Sequence, residues 1–390
     1  SSDVCSSDLV FPQSQMQAEH CRQSPMLSDS ATKPPQNSER VMEEISLTRA
    51  ISALAPMVEE HASEAERTRK PVDAVMKAIE ETQAYRWFVP RKYGGFEFSL
   101  EGFIEVGLTL GAADISTAWA VTFCMEHNWL MGLFNADGQE AIFRKHPYII
   151  APGTLSPGGT ARPVDGGYIV NGRWQWGTGV MHADHVMVGA LTDHEGEPEF
   201  CMYLLPIEDA EVLDTWQMSG MVGTGSNDIA VTDKFVPAHL RQNIADMRAG
   251  DSEGAKLHKT ANFRMPMLPV LGLTAASPAV GCAGRTLEHF KERMKGRMVY
   301  GTADRQSERA LGQSRLAHLT ARQQTLENSL RETAREVSAW GKSGDICPDI
   351  ERAALRVRLG HIVREARNII RRSEEHTSEL QSPCNLVCRL

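Results

Sequence analysis

The residues best suited to chemistry lie at positions 166–190. Asn171-Gly172 is typical of a hairpin turn, because both central residues of such a turn need positive φ. Trp174 and Trp176 follow two positions apart, so a returning strand would place both on one face. Gly177-Thr178-Gly179 adds bare backbone and one hydroxyl beside that face. This pattern suits a flat ring with polar edges; the alternative is that the tryptophans fill a core and the glycines mark a bulge.

His127 is the best acid–base candidate in the chain. It lies on or beside the apolar stripe of a predicted helix, and Asn128 and Trp129 follow it. A histidine held near an apolar face keeps a neutral imidazole, which can accept or share the phenolic proton of an aromatic hydroxylation. The alternative is a core histidine with one backbone partner.

Three further polar groups have both a chemical and a structural interpretation. The Thr178 hydroxyl could donate to, or accept from, a ring nitrogen, or it could belong to a plain turn. The glycine-rich segment 223–228 could receive a phosphate or a ring edge through its N–H groups, or merely connect strands. His182 and His185 do not predict a metal site, because an extended segment points them to opposite faces. Asp184 is expected to fix its loop.

Composition excludes several classes of function. The chain has 390 residues, 42% hydrophobic content and a net charge of −9, which predict a globular protein without a nucleic-acid partner. The apolar runs are too short for a membrane span, so we expect a cytoplasmic protein. The eight scattered cysteines are expected to be reduced thiols. The sequence contains no dinucleotide-binding, nucleoside-triphosphate, zinc-protease or nucleophile-elbow motif.

The elements that must position these residues follow the order helices, strands, helices. Residues 42–147 are predicted to be helical, 148–247 to form a β domain and 248–371 a helical bundle. Apolar residues between positions 45 and 58 fit one helical face, and residues 248–259 are expected to be a polar, mobile connection. Such helices form layers on the sheet, and a cofactor would lie in the crevice between layers.

Both ends of the sequence resemble a translated sequencing adapter. Residues 3–9 can be encoded by one strand of a library oligonucleotide, and residues 372–377 by its complement. We therefore expect residues 1–41 to be an adapter-like or disordered leader, with Met42 as a plausible start, and residues 372–390 to be an adapter-like tail. In that case the apolar stripe of the last helix would lack its natural cover, and the chain would assemble and turn over poorly.

Taken together, four segments resemble the acyl-CoA dehydrogenase fold family. They are VPRKYGG at 89–95, GAADISTAWA at 111–120, GGYIVNGRW at 166–174 and GTGSNDI at 223–229. The pairing of His127-Asn128-Trp129 with residues 172–184 is most similar to the flavin-dependent monooxygenase branch. Members of that branch are the oxygenase components of two-component systems that hydroxylate phenols.

The resemblance implies an α+β fold with an N-terminal helical domain, a central antiparallel β domain and a C-terminal helical bundle, assembled as a homotetramer. Reduced FMN or FAD from a separate NAD(P)H-dependent reductase would bind between the β domain and the helices. Oxygen would add to give a C4a-hydroperoxide. Thr178 resembles the family's hydroxyl near flavin N5, and His127 its substrate-side histidine. The expected cofactor contacts are Trp129, Thr154, Trp176, Gly177, Thr178, Gly179 and Ser226.

Two other functions fit the same scaffold. One is an acyl-CoA dehydrogenase that oxidises an acyl thioester with FAD and a glutamate base. The other is a non-catalytic binding protein. The family's second histidine comes from the C-terminal tail, which adapter-like residues replace here.

Overall fold

The computed structural model describes residues 36–194, 196–299 and 303–374. Most of the adapter-like leader and residues 375–390 of the adapter-like tail therefore lie outside the described residues. The contacts within the chain divide it into two units, with the boundary after residue 40. The described part of the first unit is one turn of helix, and residues 41 onward form the second, compact unit.

Six helices precede the sheet, and polar side chains begin three of them. Ser99, Asp114 and Asn135 each accept a hydrogen bond from the backbone N–H three residues later, which satisfies a donor that the first helical turn leaves free. The predicted single helical face over 45–58 is wrong, because the helix ends at Ser52 and a new one begins after Leu54. The bounds are α1 Gln36–Ser52, α2 Ala55–Thr68, α3 Asp73–Glu81, α4 Leu100–Ala113, α5 Ile115–Met131 and α6 Ala136–Phe143.

A seven-stranded sheet follows, with strand order β5-β6-β2-β1-β3-β4-β7. Its pairs are antiparallel except β1 with β3, which run parallel from Gly153 opposite Met187. The sheet is therefore mixed rather than purely antiparallel as the sequence predicted. The bounds are β1 Gly153–Val164, β2 Gly167–Trp174, β3 His185–His194, β4 Glu197–Pro206, β5 Glu211–Leu213, β6 Asp228–Pro237 and β7 Arg241–Asn243.

The predicted hairpin turn at Asn171-Gly172 is wrong. Both residues lie inside β2, where the register with β6 shifts between Val170 and Gly172. The Asn171 side chain hydrogen-bonds Asp233 on β6, both through its amide and through its carbonyl. The chain turns earlier, between β1 and β2, where Gly166 has a φ of 75°. The dipeptide thus lies at a bulge inside the strand rather than at a turn.

The remaining helices form the C-terminal part of the fold. Residues 248–259, predicted to be a mobile connection, contain a helix whose start is capped by the fully buried Ser252. The N–H of Gly254 donates to the Leu133 carbonyl, so this segment is packed onto the N-terminal helices. The prediction of a mobile connection is wrong. The bounds are α7 Ile244–Ala249, α8 Glu253–His258, α9 Met267–Gly296, α10 Ala310–Ser343 and α11 Asp349–Glu374.

Helix α9 is the central element of the helical core. It contacts α4, α5, α10 and α11. Its length and composition would allow it to cross a membrane, but 72% of its most apolar window is buried inside the fold, as expected for a core helix. The sequence analysis did not identify this apolar stretch as long enough to cross a membrane. On the sheet, Met187 and Leu204 join the helical core while Val188 and Leu205 join a second core, because neighbouring residues on a strand face opposite sides.

Candidate active site

The imidazole of His127 is held in one tautomer near the end of α5. His127 is 2% exposed, and its Nδ1 lies 2.6 Å from the carbonyl oxygen of Ala151. Because a carbonyl oxygen only accepts, Nδ1 carries the proton and Nε2 has a free lone pair. Burial lowers the pKa of His127 to about 4, so the ring is neutral at physiological pH. The single backbone partner also fits a core histidine, so the chemical role of His127 stays a prediction.

The first residue of β1 lies directly against Nε2 of His127. A Cβ atom on Gly153 would lie 2.8 Å from Nε2, so only a glycine allows this approach. Thr154 follows and is buried, and its hydroxyl lies 3.4 Å from the Met187 carbonyl oxygen on β3. The imidazole therefore faces the edge where the helical layer meets the sheet.

The turn after β2 packs onto the same face of α5. Gly179 has a φ of 85°, and a Cβ atom there would lie 2.5 Å from Sγ of Cys124. Cys124 precedes His127 by three positions in α5, so the two side chains are neighbours on one helical face. The structure thus brings the 177–179 turn and His127 together across α5.

Trp174 and Trp176 do not share a face, and this prediction is wrong. Trp174 ends β2, is fully buried, and donates its indole N–H to the Gly189 carbonyl at 2.7 Å. Trp176 lies in the following turn with a φ of 67° and is 58% exposed. The positive φ interrupts the strand alternation that the prediction assumed. A bulky residue in this conformation is rare, and such strain concentrates at functional sites.

Trp129 is the one predicted cofactor contact that the structure separates from the others. It is fully buried, and its indole N–H donates to the Asn262 carbonyl at 2.7 Å. Its burial and its hydrogen bond show that Trp129 packs in the helical core, and its contact with a cofactor stays a prediction.

Thr178 begins a chain of hydroxyl groups whose hydrogen-bond direction can be assigned. The Thr224 hydroxyl donates to the Met221 carbonyl at 2.9 Å, and the Ser226 hydroxyl donates to Thr224 at 2.9 Å. Ser226 has then used its hydrogen, so the 3.0 Å contact between Thr178 and Ser226 has Thr178 as the donor. The Thr178 oxygen is left as an acceptor.

Asp184 fixes the segment next to His127, as the sequence predicted. Its carboxylate accepts a hydrogen bond from the Ile150 N–H at 3.0 Å, immediately before the Ala151 carbonyl that orients the imidazole. Nδ1 of His185 contacts the same carboxylate oxygen at 2.8 Å. Among the described residues, no cluster of three or more histidine, cysteine or acidic side chains could hold a metal.

Two residues of the site were missed from the sequence. Gly153 contacts the imidazole, and Glu126 next to it is fully buried. An acidic residue inside an otherwise apolar helix was the available signal for Glu126. The contact of Gly153 depends on how the sheet meets α5, which no local pattern reports.

Known proteins resemble this chain over most of its length. A sequence profile described as "Acyl-CoA dehydrogenase, C-terminal domain" matches residues 273–376. The crystal structure of 3-HSA hydroxylase from Rhodococcus sp. RHA1 superposes with a TM-score of 0.81 at 26% identity and covers 91% of both chains. The chain therefore has an acyl-CoA dehydrogenase-like fold.

Curated relatives define the branch of the family. The pigment production hydroxylase of a Rhodococcus species is 29% identical over 321 residues, 82% of each chain. The flavin-dependent monooxygenase oxygenase subunit HsaA of Rhodococcus jostii is 32% identical over 60% of this chain and 61% of its own length. The FADH2-dependent resorcinol hydroxylase, oxygenase component, of a Rhizobium species is 26% identical over 76% of this chain and 70% of its own length. These relatives confirm the predicted resemblance, the fold class, the type of enzyme, an oxidoreductase that acts as a flavin-dependent monooxygenase, and the use of reduced flavin.

The turn of this monooxygenase fits a flavin ring. Gly177 and Gly179 let the turn pack closely on Ile229 and Cys124, where a Cβ atom would clash. The exposed Trp176 offers an aromatic face, and the acceptor oxygen of Thr178 offers a polar edge. Ser226 supports that oxygen from the loop before β6. These residues could hold the ring of a flavin between the sheet and α5.

Proposed function

We propose that this chain hydroxylates a phenolic or other aromatic substrate with reduced flavin and O2, as an oxygenase component served by a separate NAD(P)H-dependent flavin reductase. Reduced FMN and reduced FAD both remain candidates. The named relatives support the class of reaction, and the aromatic substrates in their names support the class of substrate. We further propose a cytoplasmic homotetramer, as the family resemblance implies.

The hydrogen-bond direction at Thr178 is the observation that carries the proposal. N5 of a reduced flavin bears a hydrogen and donates, whereas N5 of an oxidised flavin only accepts. The Thr178 oxygen is an acceptor, because its hydrogen is directed to Ser226 at 3.0 Å. Thr178 would therefore hold the reduced form and position the ring, with Trp176 and the backbone of Gly177 and Gly179 around it.

His127 would act on the substrate rather than on the flavin. The free lone pair on Nε2 can accept a phenolic proton, which raises the electron density of the ring to be hydroxylated. Bound reduced flavin would supply the activation of O2. The buried residues around His127 would exclude water, and the 2.6 Å contact with Ala151 keeps the imidazole oriented.

A turnover assay tests this function. The protein is mixed anaerobically with chemically reduced FMN or FAD and a phenol such as resorcinol, and then exposed to oxygen. We expect a hydroxylated product that requires the protein, the reduced flavin and oxygen together. Bleaching of bound FAD by an acyl-CoA, with no product from any phenol tested, would instead support a dehydrogenase.

A further inference from the structure

Glu126 is a carboxyl group next to His127 that the proposed reaction does not use. It is fully buried, and neither of its oxygen atoms has a hydrogen-bond partner among the described residues. Its Oε2 lies 3.6 Å from Nε2 of His127. Leaving a buried polar group without a partner is costly, so this position calls for an explanation.

The charge state of the pair follows from its surroundings. The separation would suit an ion pair, but burial raises the pKa of Glu126 well above its ordinary value and lowers that of His127. Burial thus favours the uncharged form of both groups. A neutral carboxyl group has one O–H to donate, and the Nε2 lone pair is the acceptor that the described structure places beside it. A displacement of a few tenths of an ångström would close this hydrogen bond.

Burial, rather than a neighbouring charged side chain, shifts the pKa values of Glu126 and His127. On the elements packed against α5, α9 has no charged residue from Met267 to Gly284, and the 222–224 segment has none. Glu105 on α4 pairs with Arg331, and Glu59 on α2 pairs with Arg285. Arg86, in the 84–86 turn packed against α5, donates to the Gly94 carbonyl. Burial raises the pKa of the Cys124 thiol to about 12, and Asp184 and Glu126 also raise it. Burial and then Cys124 raise the pKa of the Tyr85 phenol.

We propose that Glu126 is a positioning residue that shares one proton with Nε2 of His127 and thereby decides when His127 can act as a base. This inference rests on the proposed function. With the carboxyl protonated, its O–H occupies the Nε2 lone pair. When the pair loses that proton, the carboxylate no longer donates, and Nε2 is free to accept the proton of a phenol.

Infrared spectroscopy of the flavin-free protein tests the pairing without any turnover. We expect the C=O band of a protonated carboxyl group at neutral pH, lost in Glu126→Gln. In His127→Phe the band should move to higher frequency, because the O–H loses its acceptor. Thr122→Val, which removes a buried hydroxyl bonded only within α5, should leave the band unchanged. Absence of the band at neutral pH, or an unshifted band in His127→Phe, would overturn the proposal.

Two substitutions of Glu126 test the consequence for catalysis in opposite directions. The amide of Glu126→Gln can donate to Nε2 permanently, so product per flavin should be low at every pH. Glu126→Leu frees Nε2, so product should be high and independent of pH over the range in which the wild-type yield rises. If both variants change the pH profile alike, Glu126 has only a structural role and the proposal fails. If the infrared result holds but no phenol is hydroxylated, the pair stands and the proposed function fails.

Discussion

At the scale of single residues, hydrogen-bond direction separates the site from an ordinary turn. A threonine in a turn can donate or accept, but the contacts from Met221 through Thr224 and Ser226 leave Thr178 as an acceptor. The same kind of argument fixes His127, because the Ala151 carbonyl requires a proton on Nδ1. Each assignment makes a prediction that one substitution can test.

Ser226→Ala should weaken the preference for reduced flavin. Without Ser226 the Thr178 hydroxyl can turn and donate to N5 of the oxidised ring, so oxidised flavin should bind more tightly by up to about tenfold, the value of one hydrogen bond. Anaerobic and aerobic titrations of the two redox forms measure this change. An unchanged ratio of affinities would remove the hydroxyl chain from flavin recognition.

Thr178→Ala should release more hydrogen peroxide per hydroxylated product while flavin still binds. The variant loses one hydrogen bond of about 0.5–1.5 kcal/mol at the flavin edge, which is too little to abolish binding. Peroxide and product are measured in the same reaction mixture, and Thr122→Val serves as the control for loss of a hydroxyl. Unchanged coupling in Thr178→Ala would contradict the role given to this residue.

The buried imidazole should make the fold sensitive to acid. Burial lowers the pKa of His127 to about 4 from 6.5, so below pH 6.5 the unfolded chain binds a proton that the folded chain does not. His127 alone should therefore lower the free energy of unfolding by about 2 kcal/mol between pH 7 and 5. The raised pKa of Glu126 acts in the opposite direction, so the effect of His127 is taken as the difference between the wild type and His127→Gln. Urea unfolding at both pH values measures this loss. His127→Gln should lose less stability over that pH range than the wild type. His258→Gln removes another histidine with a lowered pKa and serves as the comparison. Equal losses in the wild type and in His127→Gln would be inconsistent with a neutral buried ring.

At the scale of elements, the site depends on glycine at the contact between α5 and the sheet. Gly153→Ala would place a methyl group 2.8 Å from Nε2 of His127, so the ring or β1 must move. We expect a large loss of product, about tenfold or more, from displacement of the imidazole. Gly360→Ala, whose added methyl group meets nothing within 4 Å, is the matched control. Wild-type yield in Gly153→Ala would show that this contact does not position the base.

The elements also show what the sequence could predict. Helices α2 to α6 lie within residues 42–147, which were predicted to be helical, and α8 to α10 lie within the predicted bundle at 248–371, because apolar periodicity is local. That Thr178 and Ser226 lie close to each other could be predicted only through the family resemblance. The side of the sheet on which Trp176 lies could not be predicted, because its positive φ arises from the contacts of the whole turn. The turn predicted at Asn171-Gly172 was wrong for a similar reason, since pairing with β6 makes this dipeptide part of a bulge.

At the scale of the whole molecule, the arrangement of layers explains how one fold family supports this chemistry. The helix that carries His127 packs against the start of β1 and the turn after β2, so the proposed substrate-side and flavin-side groups lie where the layers meet. Neither layer alone contains the site. The division into domains at residues 147 and 247, and the homotetramer, stay predictions.

The source of the inserted oxygen atom tests the central claim most directly. The protein is mixed with reduced flavin and resorcinol or another phenol under isotopically labelled O2, and the product is analysed by mass spectrometry. Our account predicts one labelled oxygen atom in each molecule of hydroxylated product, with wild-type protein and reduced flavin both required. Product that carries oxygen from water, or no product while an acyl-CoA reduces bound FAD, would contradict it.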